Sequence, residues 1–265
     1  MRRLLFLIFM PGVLFAKSYD FIYSNKSGVF GYSYDKEEIY KLTERYRKYY
    51  NPKLKDDNTI VFDDGENIYT YDISEKRRNL LLNDANCPTL TEDGMYFVGY
   101  RNRFFSKLNN DGTREIVNGH IVSNSCPVVV GNNIFLYQKT REKIYVYNIN
   151  LESINEIDME YIIPIFSVGN GVLVWENRSY YIYDGDFQKK IKIHLGSCGI
   201  PVLYDEKNKK LIYSITSTCI NWLVGFVSDG LYSYSIKSGK IEHLVKDVFV
   251  EEGNGSSFKN ENVGE

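Results

Sequence analysis

The hydrophobic residues of the chain fall in short runs that alternate with polar positions. Beyond Lys17 these runs are rich in Tyr, Ile, Val and Phe, and Gly, Asn and Asp stand between them. Alternation with a period of two places every second side chain on one face of a strand. Residues 36–50 come closest to a helical period without holding it, so we interpret them as a strand followed by a loop. The pattern predicts an all-β protein.

Five of the six prolines mark an internal repeat. Behind each of them follow an apolar run, a turn, a second run, a polar loop, a third run of alternating aromatics and a more polar fourth run. Four short strands in a unit of about 40 residues are typical of a β-propeller blade. Subtraction gives spacings of 36, 39, 37 and 37 residues between Pro52, Pro88, Pro127, Pro164 and Pro201.

The chain ends complete the predicted ring. Residues 21–23, 29–34 and 38–42 form three runs that match a blade without its first strand. Residues 248–250, Val-Phe-Val, are predicted to supply that strand. The prediction is a six-bladed β-propeller closed by pairing of N- and C-terminal strands, and five blades with a capping N-terminal segment are the alternative. The last full blade carries an insertion, residues 214–230, which contains Cys219 and Trp222.

The N-terminus has the composition of a secretory signal peptide. Arg2 and Arg3 precede an apolar stretch that ends at Ala16 and is interrupted by Pro11. We predict a cleaved signal over residues 1–16, with a retained anchor as the alternative. A single propeller domain over residues 17–252 and a flexible polar tail over residues 253–265 complete the domain prediction, which places the protein in the secreted or periplasmic class.

The charge of the chain limits the classes of partner. The formal net charge of −2 gives no general attraction to nucleic acid or to an acidic membrane. We therefore predict no nucleic-acid partner and membrane contact only by association with other components. The sequence leaves the oligomeric state open.

One stretch resembles a known family. Residues 87–98 read Cys-Pro-Thr-Leu-Thr-Glu-Asp-Gly-Met-Tyr-Phe-Val, which resembles the motif P-x-[FL]-S-P-D-G-x-x-[IL]-x-[FY] of TolB-like six-bladed propellers with WD40-like repeats. Residues 109–116 resemble the D-x-D-G turn of the same family, whereas the other copies keep the proline and lose Asp-Gly. The resemblance implies six blades. Such propellers include partner-binding periplasmic proteins, receptor modules and non-catalytic domains of peptidases, so it implies no particular activity.

Four cysteines in a secreted chain predict two disulfides. In a propeller, the loops between blades and the loops between second and third strands emerge on the same face, and all four cysteines fall in or beside such loops. We predict the pairs Cys87–Cys126 and Cys198–Cys219. A metal site is the rival interpretation, but the chain has no C-x-x-C spacing, so we predict neither a metal nor a cofactor.

Loops on that face also carry cationic and aromatic side chains. Arg and Trp are frequent anchors of protein interfaces. We therefore predict a protein partner in the first place and a glycan in the second, against the competing interpretation of solvated turns around a buried tryptophan. The predicted binding residues are Trp222, Arg101, Arg103, Arg141, Arg178 and His120.

Motifs of common enzymes are missing from the sequence. It contains no G-x-S-x-G, no glycine-rich phosphate loop and no H-E-x-x-H. We predict no catalytic residue, and the sequence favours a binding module over an enzyme. The alternative is a carbohydrate-active or other hydrolytic enzyme that uses the axial pocket, which two or more axial carboxylates, or His120 beside one, would support.

Overall fold

The computed structural model describes most of the chain between Tyr19 and Ser257. The described residues are 19–44, 49–121, 126–138, 141–158, 162–188, 190–195, 198–215, 220–221, 225–226, 230–248, 250 and 255–257, and of 118–121, 220–221, 225–226 and 255–257 only the backbone is described. The predicted signal peptide lies outside these ranges, as do Cys219 and Trp222. Among the described residues no helix has the length and hydrophobicity of a membrane span.

The first half of the chain forms three antiparallel sheets, which we number as blades 1 to 3. Their strands are β1 (Phe21–Asn25), β2 (Gly28–Ser33) and β3 (Glu38–Lys41) in blade 1, β4 (Tyr50–Leu54), β5 (Thr59–Asp63), β6 (Ile68–Asp72) and β7 (Arg77–Leu82) in blade 2, and β8 (Ala85–Thr91), β9 (Gly94–Gly99), β10 (Phe104–Asn109) and β11 (Arg114–Ile121) in blade 3.

The second half forms blades 4 to 6 and returns to blade 1. A separate hairpin, β22–β23, occupies the insertion predicted in the last blade. The strands are β12 (Val128–Val130), β13 (Asn133–Gln138), β14 (Lys143–Asn148) and β15 (Ser153–Asp158) in blade 4, β16 (Ile162–Val168), β17 (Gly171–Glu176), β18 (Ser179–Asp184) and β19 (Lys190–Ile193) in blade 5, β20 (Ile200–Asp205), β21 (Lys210–Ile215), β24 (Gly230–Ser235) and β25 (Ile241–Lys246) in blade 6, the hairpin strands β22 (Ile220–Asn221) and β23 (Gly225–Phe226), and β26 (Gly255–Ser257) in blade 1.

The ring closes by pairing of the two chain ends, as predicted. Strand β26 pairs antiparallel with β1 and becomes the first strand of blade 1. The expected donor of that strand, residues 248–250, was wrong: Val248 and Val250 pack into the core between blades 6 and 1. A closing strand pairs through its backbone and needs no apolar side chains, so the apolar pattern selected the buried residues upstream of it. The polar stretch from residue 253 onward therefore contains a strand.

The second strand of each blade is buried on both faces. In β1, Phe21 and Tyr23 contact blade 6, whereas Ile22 between them contacts blade 2. The same alternation holds in β5, where Ile60 and Phe62 face blade 1 and Val61 faces blade 3. Because successive side chains of a strand point to opposite faces, a continuous apolar run contributes to two interfaces at once.

A hydrophobic cluster fills each of the six interfaces between neighbouring blades. Full burial of one large apolar side chain contributes about 1.5–3 kcal/mol, so each cluster stabilises its interface strongly. In ring order from the interface of blades 1 and 2, representative pairs are Ile22 with Phe62, Val61 with Phe97, Tyr96 with Tyr147, Phe135 with Val174, Leu173 with Tyr213, and Ile212 with Phe21.

Polar contacts reinforce the interface at which the chain ends meet. The Nζ atom of Lys207 in blade 6 lies 3.0 Å from Oδ1 of Asp20, which precedes β1 and has a buried side chain. The other carboxylate oxygen of Asp20 accepts a hydrogen bond of 2.7 Å from the backbone N–H of Tyr34. Together these contacts join the loops of blade 6 to those of blade 1.

Four of the repeated prolines lie in first strands, and Pro127 directly precedes the first strand of blade 4. The first strands contact one another around the axis. In blades 2, 3, 5 and 6 the pairing register is interrupted at the proline. Proline has no N–H to donate, so it is tolerated at an edge or a bulge and disfavoured inside a sheet. In blades 2 and 3 the residue before it, Asn51 or Cys87, adopts a left-handed backbone with φ of 48° or 57°. This irregular backbone at the start of blades 2 and 3 positions the side chain of Asn51 and the disulfide-bonded Cys87 on one side of the ring.

Removing the closing strand should destabilise the whole ring. Deletion of residues 251–265 removes three residue pairs between β1 and β26, or about three backbone hydrogen bonds of about 1 kcal/mol each. We expect the melting temperature to fall by about 6–12 °C in circular dichroism. Deletion of residues 258–265 alone keeps β26 and should leave the melting temperature unchanged. Equal melting temperatures for both truncations would show that β26 does not close the ring.

Candidate binding face

One side of the ring carries the loops that join consecutive blades and the loops that join second to third strands. The strands of a blade are antiparallel, so both kinds of loop emerge on the same side. A disulfide between Cys87 and Cys126 joins the entries of blades 3 and 4 there, with Cα atoms 4.8 Å apart. The predicted pair Cys87–Cys126 is confirmed. We call this side the disulfide face.

The second predicted pair falls partly outside the described residues. Cys198, at the entry of blade 6, is disulfide-bonded. Its predicted partner Cys219 is not among the described residues. The pair Cys198–Cys219 therefore stays a prediction.

A buried carboxylate lies next to the disulfide. Asp63 ends β5, and its Oδ2 accepts hydrogen bonds from the backbone N–H of Cys87 (3.1 Å) and from Nδ2 of Asn51 (2.9 Å). Its Oδ1 accepts a hydrogen bond from the backbone N–H of Gly65 (2.9 Å). Asp63 thus links the end of the second strand of blade 2 to the entry of blade 3. The sequence did not reveal this role, because the donors lie 12 and 24 residues away along the chain.

The contact made by Asp63 has counterparts at two other interfaces. Ser24, near the end of the second strand of blade 1, donates its hydroxyl to the carbonyl of Tyr49 at the entry of blade 2 (2.7 Å). Ser214, in the second strand of blade 6, accepts a hydrogen bond from the backbone N–H of Val250 (3.0 Å). A polar group at this position therefore holds the incoming chain of the next blade. Asp63 performs this structural task with a carboxylate instead of a hydroxyl.

Burial perturbs two ionisable groups at this junction. It raises the pKa of Asp63 from an ordinary 3.8 to about 6, against the opposing effect of the hydrogen bonds donated by Asn51, Cys87 and Gly65. It also lowers the pKa of Lys53, on the first strand β4, to about 8, although the nearby charge of Asp63 acts in the other direction. At a pH between these two pKa values, the carboxylate of Asp63 is negative and the ammonium of Lys53 is positive. Two opposite charges therefore lie near the disulfide at neutral pH.

The predicted arginines lie on loops of three consecutive blades on the disulfide face. Arg101 and Arg103 belong to the loop between β9 and β10, Arg141 to the loop between β13 and β14, and Arg178 to the loop between β17 and β18. Arg101, Arg141 and Arg178 are exposed, and Arg103 is half-buried. We call these four residues the arginine rim.

The backbone of the rim loops is fixed by short hydrogen bonds. The N–H of Arg101 donates to Oδ1 of Asp84 (2.9 Å), and the N–H of Arg103 donates to the carbonyl of Gly99 (3.0 Å). In the next blade, the N–H of Arg141 donates to the carbonyl of Gln138 (3.2 Å), and its Nη1 lies 3.4 Å from the hydroxyl of Tyr145. Backbone hydrogen bonds thus hold the turns that carry Arg101, Arg103 and Arg141.

The two remaining predicted residues are not brought to the rim by the described part of the chain. Trp222 lies outside the described residues. His120 was expected in a loop near the axis, but its backbone belongs to β11, the outermost strand of blade 3. The strand extends further than its sequence suggested because an irregularity shifts the pairing from Ile116 to Ile121.

The described residues contain no cluster of three or more His, Cys, Asp or Glu side chains able to hold a metal ion. The groups near the disulfide are instead one carboxylate, one ammonium, an amide and backbone N–H groups. This set suits hydrogen bonding and charge pairing.

Six four-stranded blades closed by pairing of the chain ends make this protein a six-bladed β-propeller, the fold that the TolB-like resemblance implied. It is similar to a chain of a nidogen/laminin complex, with a TM-score of 0.64 and 8% identity over 89% of this chain and 97% of that one. It is also similar to a virginiamycin B lyase from Staphylococcus aureus (TM-score 0.51, 13% identity, 74% and 69% covered). A streptogramin B lyase gives a TM-score of 0.53 at 13% identity, with 76% and 69% covered. No family model and no curated protein matches the sequence. At these identities the similarity shows the fold alone.

The disulfide should contribute substantially to stability. It closes a loop with a sequence separation of 39 residues, for which the loss of chain entropy in the unfolded state corresponds to about 4 kcal/mol. We expect the double variant Cys87→Ala, Cys126→Ala to lose roughly that free energy of unfolding in urea, with Cys198 left bonded. A loss below about 1 kcal/mol would mean that the polar contacts and the hydrophobic cluster suffice at this junction.

Asp63 should make stability depend on pH. Its pKa is higher in the folded state, so its contribution is fully present below 3.8 and is lost as the pH rises through about 6. A difference of this size corresponds to about 3 kcal/mol. In urea titrations at several pH values, Asp63→Asn should flatten the profile in that window. Asp64→Asn, in the same turn, is the control. The charge of Asp64 is the smallest of the causes that act on the pKa of Asp63, so most of the slope should remain. An unchanged slope in Asp63→Asn would contradict this assignment.

Proposed function

We propose that the protein is a secreted or periplasmic binding module that engages a partner protein through the disulfide face. The observation that carries the proposal is the placement of the arginine rim on exposed loops of three consecutive blades, on the side that a disulfide cross-links. Arginine is enriched in protein interfaces and accounts for many of their energetic anchors. The disulfide supports an oxidising compartment.

Rigid presentation supports the same proposal. Association is weakened when loops must be ordered on binding, and pre-organised loops reduce that cost. The turns that carry Arg101 and Arg103 are already held by backbone hydrogen bonds. Four guanidinium groups favour a partner with carboxylates on its surface. An acidic protein is therefore the first candidate, and an acidic glycan is the second.

The alternative function is a hydrolytic or carbohydrate-active enzyme in the axial pocket. Two of the similar structures are enzymes, although they are lyases and not hydrolases, and a carboxylate with a raised pKa is a common feature of active sites. The hydrogen bonds of Asp63, however, match those of Ser24 and Ser214 at other interfaces. The position of Asp63 is thus explained by blade assembly, and this favours the binding module.

The arginine rim should be needed for partner capture. A variant with Arg101, Arg103, Arg141 and Arg178 replaced by Ala removes four charges from the disulfide face. We expect the proteins retained from the extracytoplasmic fraction of the producing cells to fall by about tenfold or more in quantitative mass spectrometry.

A charge-matched variant provides the control for this experiment. It replaces Lys36, Lys55, Lys237 and Lys240, which are exposed on turns of the opposite face, by Ala. Retention should stay at the wild-type level. Equal losses in both variants would indicate a general charge effect, and full retention by the rim variant would refute the proposed face.

A further inference from the structure

None of the described strands pairs with the outer backbone edge of β7, the outermost strand of blade 2. The strand order of this blade is β4-β5-β6-β7, so β7 pairs with β6 on one side only. From Arg77 to Leu80 the pairing with β6 is regular. A regular open edge is able to pair with another extended chain, and natural proteins usually protect such edges with charges, prolines or bulges.

Strand β7 differs from the other outer strands in its exposed side chains. Among the side chains that the structure describes, β3, β11, β15 and β19 each show one large exposed apolar residue, with charged residues close to it. Strand β7 has two, Leu80 and Leu81, which are 52% and 39% exposed. They lie in Asn79-Leu80-Leu81-Leu82, a run without charge. Leu81 also lies at an irregularity in the register, between the pairs of Leu80 and Leu82.

The beginning of β7 is basic. Arg77 and Glu75 are both exposed, and Nη2 of Arg77 lies 3.5 Å from Oε2 of Glu75. Ion pairs of this kind contribute little free energy, so Arg77 can exchange its partner. The guanidinium of Arg78 packs 4.5 Å from the ring centre of Tyr69. With Lys76, residues 75–78 contain three cations and one acid, and Asp72 of β6 lies opposite Arg77.

We propose that the open edge of β7 binds an extended segment of a partner protein by strand addition. The segment would carry a carboxylate opposite Arg77 and apolar side chains opposite Leu80 and Leu81. Backbone hydrogen bonds provide affinity in this mode of recognition, and alternate side chains provide specificity. The surface is separate from the arginine rim, and the inference does not depend on it.

Charge complementarity favours this occupant over a second copy of the chain. In an antiparallel pair of two β7 strands, Arg77 and Arg78 would face the leucines of the other copy. In a parallel pair, like charges would lie side by side, which is destabilising. Neither arrangement supplies a carboxylate to Arg77. A segment with a carboxylate at one end and apolar side chains at the other is complementary to the basic beginning and to the leucines of β7.

A defined peptide tests the proposal. The probe is a fluorescently labelled peptide of alternating glutamate and valine with blocked ends, and binding is measured by fluorescence anisotropy. We expect saturable binding by the wild-type protein. The same peptide N-methylated at every residue keeps its side chains but loses its backbone donors, and it should not bind. Equal binding of both peptides would overturn strand addition.

Two matched variants locate the site. Leu80 and Ile154 are both 52% exposed on outer strands, in blades 2 and 4. Leu80→Asn should weaken binding by about tenfold, the effect of about 1.4 kcal/mol, whereas Ile154→Asn should leave it unchanged. Should Leu80→Asn fail to fold, Arg77→Gln tests the same edge at an exposed position. Equal weakening by Leu80→Asn and Ile154→Asn would place the site elsewhere.

The oligomeric state and the rim variant complete the test. If Leu80→Asn converts a dimer to a monomer in light scattering, a second copy covers the edge and the proposed occupant is wrong. The four-arginine rim variant should bind the peptide as the wild type does. Loss of peptide binding in that variant would assign the peptide to the disulfide face and overturn the β7 site.

Discussion

The architecture depends on the double-sided burial of the second strands. A strand such as β5, with Phe62 facing one neighbour and Val61 the other, needs a packed surface on both sides. A single blade cannot provide this, because one of its faces would remain in water. Only a closed ring satisfies every blade, which is why six similar clusters recur. Closure is thus a consequence of the apolar pattern.

At the interface between blades 6 and 1, the C-terminal strand β26 joins the sheet formed by β1, β2 and β3 and closes the ring. Three kinds of interaction meet there: pairing of β1 with β26, packing of Phe21 against Ile212, and the ion pair between Lys207 and Asp20. Folding must bring residues 187 positions apart together to form that ion pair. The entropy of closing so long a loop has to be offset by many contacts formed together, which makes this interface cooperative.

The part of the fold that could be predicted from sequence is the part that repeats. Proline spacing and aromatic alternation recur in every full blade, so chance agreement was improbable, and the pairing of Cys87 with Cys126 followed from their equivalent positions in adjacent blades. The closing strand was misplaced because Gly255–Ser257 pairs through its backbone, which leaves no hydrophobic pattern. The role of Asp63 was missed because a turn acid looks the same in sequence whether it is solvated or buried. Its burial depends on donors from two other strands.

The contrast between repeated and unrepeated features also explains why the architecture is easier to infer from the sequence than the partner. Both faces of the second strands are used for assembly, so function is left to loops and to outer strand edges. The arginine rim and the edge of β7 are of these two kinds. The rim occupies three of the six blades and the exposed leucine pair only one, so neither follows the repeat of the whole ring. A residue such as Arg178 or Leu80 is not required by the packing that places its neighbours. The role proposed for such a residue concerns a complex and not the packing of the fold, and internal repetition therefore carries no information about it.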